Sequence, residues 1–135
     1  KAGTRFSVSG QVYKVTKAGK EVSFIQAKKN AKRVVIPATV KSKGVTYKVT
    51  SVAAKAVKNN KKVKSVVIGA NVKRISNNAF YKCKSLKTVT IKSVLLTKKT
   101  ANKKAFKGVG KKMVIKVPKK MKKSYARIFR GLAIR

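Results

Sequence analysis

This chain of 135 residues has few side chains that could act in catalysis or bind a metal. The residue types present exclude most kinds of catalytic site. Glu21 is the only acidic residue and there is no histidine, so neither a carboxylate pair nor a Ser-His-Asp triad can form. The same shortage removes the ligand clusters that bind zinc or calcium. The sequence therefore predicts no catalytic residue, no cofactor, no metal site and no enzyme activity.

Three weaker patterns remain, and each has a simpler interpretation. Cys83 is flanked by two lysines, which would activate its thiol only if the sulfur reached solvent. The repeat described below aligns it with Asn60 and Val109 at the inner corner between coils, so we expect a small buried core residue. Residues 108–112 (Gly-Val-Gly-Lys-Lys) resemble the tail of a phosphate loop, but the first glycine is misplaced and lysine replaces the hydroxyl residue. Ser65 beside Lys64 is a spacing that abundant serines and lysines produce by chance.

Lysine dominates the remaining chemistry. The chain has 38 basic residues against one acid, for a net charge of +37, and its pI is near 11.3. Lysine outnumbers arginine 32 to 6, which favours diffuse attraction by point charges over bidentate reading of phosphates or bases. Apolar residues still make up 43% of the chain, enough to build a folded core.

An internal repeat supplies the elements that must position these lysines. Residues 49–63 align with residues 72–86 at an offset of 23, and a third copy follows 26 residues later, where Ala105-Phe106 falls under Ala79-Phe80. A unit of this length is one coil of a solenoid, and it must stack on neighbours to bury its apolar face.

Each repeat unit contains one short strand. Its apolar residues alternate with a period of two, which is typical of a half-buried strand. Coils stacked about 4.8 Å apart would align these strands into buried ladders. The predicted strands are residues 34–36, 66–68, 89–91 and 115–117.

The second unit carries a family resemblance. Its sequence, IGANVKRISNNAFYKCKSLKTVTI (residues 68–91), resembles the BspA-type leucine-rich repeat, including the cysteine. Residues 34–65 match the repeat more loosely, because Val57 replaces its phenylalanine and Asn60 its cysteine. In the third copy, residues 110–112 depart from the segment that carries the repeat's leucine. The resemblance implies a bacterial cell-surface or secreted protein associated with adhesion and without enzymatic activity.

The ends of the chain are predicted to cap the coils. Alternating apolar residues in the first 25 positions indicate a small antiparallel sheet, and Lys43-Gly44 marks a further hairpin turn. After Pro118, apolar residues follow the spacing of a helix face as far as Leu132. We therefore expect a β-rich α/β solenoid in one structural domain, with an N-terminal β-hairpin cap (1–33), leucine-rich repeat coils (34–117) and a C-terminal capping helix (118–135).

The repeat alignment also predicts where the lysines meet. Lys61 falls over Lys84 and Lys64 over Lys87, giving two rows beside the strands. The candidate polyanion-binding residues are the lysines on the loops that lead into the sheet: Lys61, Lys62, Lys64, Lys84, Lys87, Lys111 and Lys112.

Several partners fit this pattern. The leading hypothesis is an anionic polysaccharide or wall polymer such as teichoic acid. A second is a host protein bound by the face of the repeat sheet, with the charge incidental. Nucleic acid is a third, but without a recognition helix or an aromatic stacking platform its binding would be nonspecific. Lysines that merely fill solvated positions, or an artificially supercharged chain, would give the same composition.

We expect a monomer located outside the cell or at a bacterial cell surface. No run of about 18 apolar residues exists, so the sequence predicts no membrane span. The chain starts at Lys1 without an apolar signal segment, which favours a mature protein or an excised domain whose export signal or anchor lies outside this sequence.

Overall fold

The computed structural model describes residues 2–110 and 112–135, which form two β-sheets and one short α-helix. In chain order the strands are β1 (Arg5–Val8), β2 (Gln11–Lys17), β3 (Glu21–Gln26), β4 (Arg33–Ile36), β5 (Thr39–Ser42), β6 (Val45–Val52), β7 (Ser65–Ile68), β8 (Arg74–Ile75), β9 (Thr88–Ile91), β10 (Val114–Lys116) and β11 (Ala133–Ile134). The helical segments are two 3₁₀ turns, Lys103–Phe106 and Lys119–Met121, and the helix α1 (Lys122–Ile128).

The first sheet begins as the antiparallel meander that the N-terminal alternation predicts. β1 pairs with β2 and β2 with β3, after which β3 pairs in parallel with β6. β5 and β6 form a hairpin whose two turn residues, Lys43 and Gly44, have φ values of +50° and +79°. Positive φ at both central residues matches the twist of a two-residue hairpin, so the predicted turn is confirmed.

The second sheet is the stack of repeat strands. Its order is β11-β10-β9-β7-β4, and all neighbours are parallel. The register aligns the buried residues Val34, Val66, Val89 and Ile115, which confirms the four predicted strands to within one residue at each end. Val117 is the difference, because it lies past the end of β10 and its amide donates to the carbonyl of Arg135.

The turns that carry the Ala-Phe pairs form the opposite wall of the core. Ala79, Phe80, Ala105 and Phe106 are all buried. The amide of Phe80 donates to the carbonyl of Ala105 at 2.9 Å, so the two turns stack as the strands do. The core therefore lies between the second sheet and these turns.

The C-terminal segment differs from the long helix that the apolar spacing predicts. α1 ends at Ile128, and Leu132 lies beyond it with a half-buried side chain. Gly131 has a φ of +89°, a conformation that glycine adopts without strain, and the chain reverses there. The prediction of helix to the end of the chain is wrong, because the open edge of β10 offers hydrogen-bonding groups and β11 pairs with it.

Gly110, which the sequence places in a degraded segment, lies at a close contact between two coils. A Cβ atom on Gly110 would lie 2.9 Å from the carbonyl oxygen of Lys84, so glycine permits the close approach of the two coils. Met113 is then 2% exposed, and its amide donates to the Gly110 carbonyl as the Leu86 amide donates to that of Cys83. Met113 thus fills the core where the repeat has leucine.

Candidate polyanion-binding surface

Positive charge covers the described surface of this molecule and is neutralised at one place. Each lysine and arginine that the structure describes is exposed. The carboxylate of Glu21 lies 3.7 Å from the ammonium of Lys73 and accepts a hydrogen bond of 3.3 Å from the hydroxyl of Thr50. This is the one ion pair among the described residues, so their other cations face solvent without an acidic partner.

Hydrogen bonds between coils align three lysines, Lys32, Lys64 and Lys87, which we call the lysine row. The amide of Lys64 donates to the carbonyl of Lys32 at 2.8 Å, and the amide of Lys87 donates to the carbonyl of Lys64 at 2.9 Å. Each of the three immediately precedes a strand of the second sheet. Lys64 and Lys87 are therefore neighbours, as the alignment predicts, while their role in binding stays a prediction.

The sequence analysis missed Lys32, although a signal for it existed. Val34 pairs with Val66 at an offset of 32, and the same offset places Lys32 over Lys64. That offset is longer than the later ones because the β5–β6 hairpin is inserted in the first coil. The lysine row is consequently one coil longer than expected.

Three other lysines predicted to bind polyanions lie near the lysine row without being part of it. Lys61, Lys62 and Lys84 are exposed on the turns that lead into β7 and β9. The amide of Asn59 donates to the carbonyl of Tyr81 at 2.7 Å, which holds these two turns side by side. Lys61 and Lys84 therefore lie on adjacent coils, between that bond and the lysine row.

The third coil does not continue the lysine row. The position immediately before β10 is Met113, which is buried. Lys112 is exposed one residue further from the strand, and Lys111 lies outside the described residues.

Cys83 and Asn60 occupy the equivalent inner corners of two coils. Cys83 is fully buried, as expected, and burial raises the pKa of its thiol to about 11, which disfavours the reactive thiolate. The side-chain amide of Asn60 donates to the carbonyl of Ala31 at 3.0 Å and accepts from the amides of Lys62 and Val63. Both residues therefore serve the interior of the stack.

The remaining chemical patterns also have structural roles. Gly108 has a φ of +82° in the turn of the third coil, and the strand β10, not a helix, follows residues 108–112. A phosphate loop needs a helix at that point. Ser65 is the half-buried first residue of β7.

The solvent-facing side of the second sheet, called the sheet face below, is almost free of charge. Alternation along the strands points these side chains outward: Val35, Ser65, Val67, Thr88, Thr90 and Val114. Val35 is 42% exposed and the others are half-buried. Charges appear on this face at its margins, at Arg33 and Lys116. The lysine row runs along the entry side of the strands, so an uncharged surface borders a cationic one.

No helix of the described residues has both the length and the apolar character needed to cross a bilayer.

The sequence matches a family model described as BspA type Leucine rich repeat region. The match covers residues 29–135 in six copies, which is more of the chain than the resemblance seen in the sequence alone. Among curated proteins, none matches this chain.

Several solved structures share the fold. A leucine-rich repeat protein from Bacteroides capillosus ATCC 29799 has a TM-score of 0.63 at 16% identity, covering 97% of this chain and 98% of its own. A leucine-rich cell surface protein from Faecalibacterium prausnitzii A2-165 has a TM-score of 0.61 at 21% identity over 88% of this chain. A leucine-rich repeat protein from Bacteroides ovatus ATCC 8483 has a TM-score of 0.60 at 20% identity over 85% of this chain.

The chain spans only 38% of the length of the Faecalibacterium protein and 38% of that of the Bacteroides ovatus protein. At such identities the likeness shows a shared fold, which is the β-rich leucine-rich repeat fold.

Proposed function

The chain belongs to the BspA-type leucine-rich repeat family, and from this premise we propose that it is a non-catalytic module that attaches to anionic polymers. The proposed ligands are anionic glycans and wall polymers such as teichoic acid. We place the module outside the cell or at a bacterial cell surface. The Faecalibacterium relative is a leucine-rich cell surface protein, which supports this location. In this proposal the N-terminal sheet and the C-terminal helix act as caps of the coil stack.

The lysine row is the observation that carries the proposal. Neighbouring strands in a sheet are about 4.8 Å apart, so the bonds that join Lys32, Lys64 and Lys87 bring three cationic side chains to one edge at a regular short interval. Their mutual repulsion has no acidic partner to offset it among the described residues. A linear polyanion relieves this repulsion, and the release of its condensed counterions adds a favourable entropy.

A second candidate function rests on the sheet face. Its valine and threonine side chains are uncharged on a molecule of net charge +37, and Val35 is 42% exposed. Protein interfaces have few charges at their centre and more at the rim. This pattern supports a protein-binding adhesin, with the lysines at the rim of the contact. Nonspecific binding of nucleic acid is a third candidate, supported by net charge alone.

Retention on immobilised polyanions across a salt series separates these functions. Columns would carry heparin, teichoic acid or duplex DNA, with a neutral dextran column as control. For polyanion binding, the logarithm of affinity falls linearly with the logarithm of salt concentration. A footprint of about six to ten contacts predicts a loss of about 10³–10⁵ in affinity between 50 and 200 mM salt.

The outcomes discriminate between the candidates. Absence of retention on all three polyanions at about 150 mM salt would contradict the proposal, because physiological salt leaves close multivalent contacts partly unscreened. Salt-independent capture of one protein ligand would favour the adhesin. A strong preference for one DNA sequence would contradict both.

A further inference from the structure

A groove opens between the loop that follows β3 and the first coil. Residues 25–30 and 55–60 line it, and its volume is about 520 Å³, which is within the range of small-ligand sites. Four exposed lysines are among the lining residues: Lys28, Lys29, Lys55 and Lys58. Glu21, the only acid of the chain, does not line it. The groove therefore gathers four uncompensated cations around one concave space.

Carbonyl groups on the later coils follow a regular pattern of hydrogen bonds. The carbonyl of Asn78 accepts from the amide of Lys55 at 2.9 Å, and the carbonyl of Tyr81 accepts from the amide of Asn59 at 2.7 Å. The third coil repeats both bonds, with the carbonyls of Lys104 and Lys107 as acceptors. Between them, the carbonyls of Ala79 and Ala105 accept from the amides of Val57 and Phe80, so three carbonyls in each turn accept hydrogen bonds from the preceding coil.

On the groove side of the first coil, two of the equivalent carbonyls have no such hydrogen-bond donor. They belong to Lys55 and Lys58, and no described residue donates a hydrogen bond to either. Between them, the carbonyl of Ala56 accepts from the amide of Ala27 at 2.9 Å, which shows that this edge faces the loop after β3. Two acceptor oxygens are therefore available beside the four ammonium groups.

Acceptor oxygens next to cations suit a ligand that carries both hydroxyl donors and anionic groups. A sugar that bears sulfate, phosphate or carboxylate offers both, because its hydroxyls donate to carbonyls and its anionic oxygens accept from lysines. A polyphosphate without hydroxyl groups would satisfy the lysines alone. We infer that this groove seats one anionic sugar unit of a bound polysaccharide. The inference rests on the proposed function, for which it names the ligand class and a site.

Two triple variants with equal charge test the groove. Lys28→Gln, Lys29→Gln and Lys58→Gln remove three cations from it, and Lys98→Gln, Lys99→Gln and Lys120→Gln remove three exposed cations that do not line it. Lys55 is left in place because its φ of +60° makes a substitution harder to interpret. The probes are a heparin octasaccharide and a linear polyphosphate of matched charge, with affinities measured by calorimetry at one salt concentration.

The groove variant should bind the octasaccharide at least about tenfold more weakly, whereas the control variant should lose less than about threefold, because charge-assisted hydrogen bonds are stronger than diffuse attraction. Polyphosphate has no hydroxyl group to donate to the carbonyls of Lys55 and Lys58, so its affinity should differ less between the two variants than that of the octasaccharide. Amide chemical shifts of residues 25–30 and 55–60 should move on addition of the octasaccharide to the unsubstituted protein.

Two different results would distinguish failure of the groove inference from failure of the proposed function. Equal weakening of octasaccharide binding by the two variants would overturn the groove while leaving polyanion binding intact. If the unsubstituted protein bound neither probe at about 150 mM salt, the proposed function itself would fail.

Discussion

The ring of Phe80 stacks on the ring of Phe106, with centroids 5.1 Å apart and planes inclined by 6°. The two residues are 26 positions apart in the sequence and occupy the same place on successive coils. Phe129, at the end of α1, meets Phe106 edge-on at 5.7 Å. An aromatic column thus joins two coils to the C-terminal helix.

Truncation of this column should be costly. We expect Phe80→Ala to lower the free energy of unfolding by roughly 3–5 kcal/mol, because it removes a fully buried ring and leaves a cavity. Chemical denaturation would measure the change. Tyr81→Ala is the matched control, since the neighbouring ring is only half-buried, and it should cost less. A loss below about 1 kcal/mol for Phe80→Ala would contradict the core assignment.

Gly69 should tolerate no side chain. Its φ is not in the left-handed region, and at such sites Gly→Ala ordinarily stabilises a protein by about 0.4–1 kcal/mol. Here a Cβ would lie 2.7 Å from the carbonyl oxygen of Ile36 and from the amide nitrogen of Ala38. These are backbone atoms that cannot move aside, so we expect Gly69→Ala to destabilise by roughly 1–3 kcal/mol. A stabilised variant in urea unfolding would show that the coils are not packed this closely.

The Cys83 thiol should make stability depend on pH in the alkaline range. Burial raises the pKa of the thiol from 9.0 to about 11, so the unfolded chain loses this proton first. The protonated thiol therefore stabilises the folded state fully below pH 9. As the pH rises toward 11, this contribution to the free energy of unfolding is lost, by about 2–3 kcal/mol in total. The comparison is with Cys83→Ala, because lysines and tyrosines titrate in the same range in both proteins. If the free energies of unfolding of the two proteins changed in parallel with pH, the thiol would make no such contribution.

Stability should also rise with ionic strength. The net charge of +37 repels itself in the folded state, and the Debye length shortens from about 30 Å at 0.01 M to about 8 Å at 0.15 M salt. We therefore expect the Tm to increase between these concentrations of sodium chloride. A quadruple variant, Lys14→Gln, Lys41→Gln, Lys98→Gln and Lys123→Gln, should show a smaller increase. An unchanged or lower Tm at 0.15 M salt would mean that self-repulsion is negligible.

Position, as well as the number of charges, should matter for polyanion binding. Reversal to glutamate at Lys61, Lys64, Lys84 and Lys87 together should weaken retention on heparin more than reversal at Lys14, Lys41, Lys98 and Lys123. The first set clusters around the lysine row, whereas the second is scattered over the surface, and both change the net charge equally. Equal losses of retention would show that total charge alone controls binding.

The sequence by itself determined the repeat. Its period-two strands and Ala-Phe pairs recur at offsets of 23 and 26, and stacking is the only way for such a unit to bury them. The strands of the second sheet and the burial of Cys83 followed from that pattern, and the Lys43-Gly44 pair separately marked the hairpin turn. The single acid and the absence of histidine were equally plain, and they leave no residues for a carboxylate pair or a Ser-His-Asp triad.

Tertiary structure decided the features that depend on an edge or on a change of period. β11 was hidden because two residues carry almost no pattern, and their pairing arises from the open edge of β10. Lys32 joined the lysine row because the inserted hairpin lengthens the first coil without changing how the strands pair. The groove exists because the loop after β3 satisfies only one of three carbonyls that a complete coil would cover. The pairing of β11 and the groove depend on which backbone groups lack a neighbour, and composition and spacing carry no record of that.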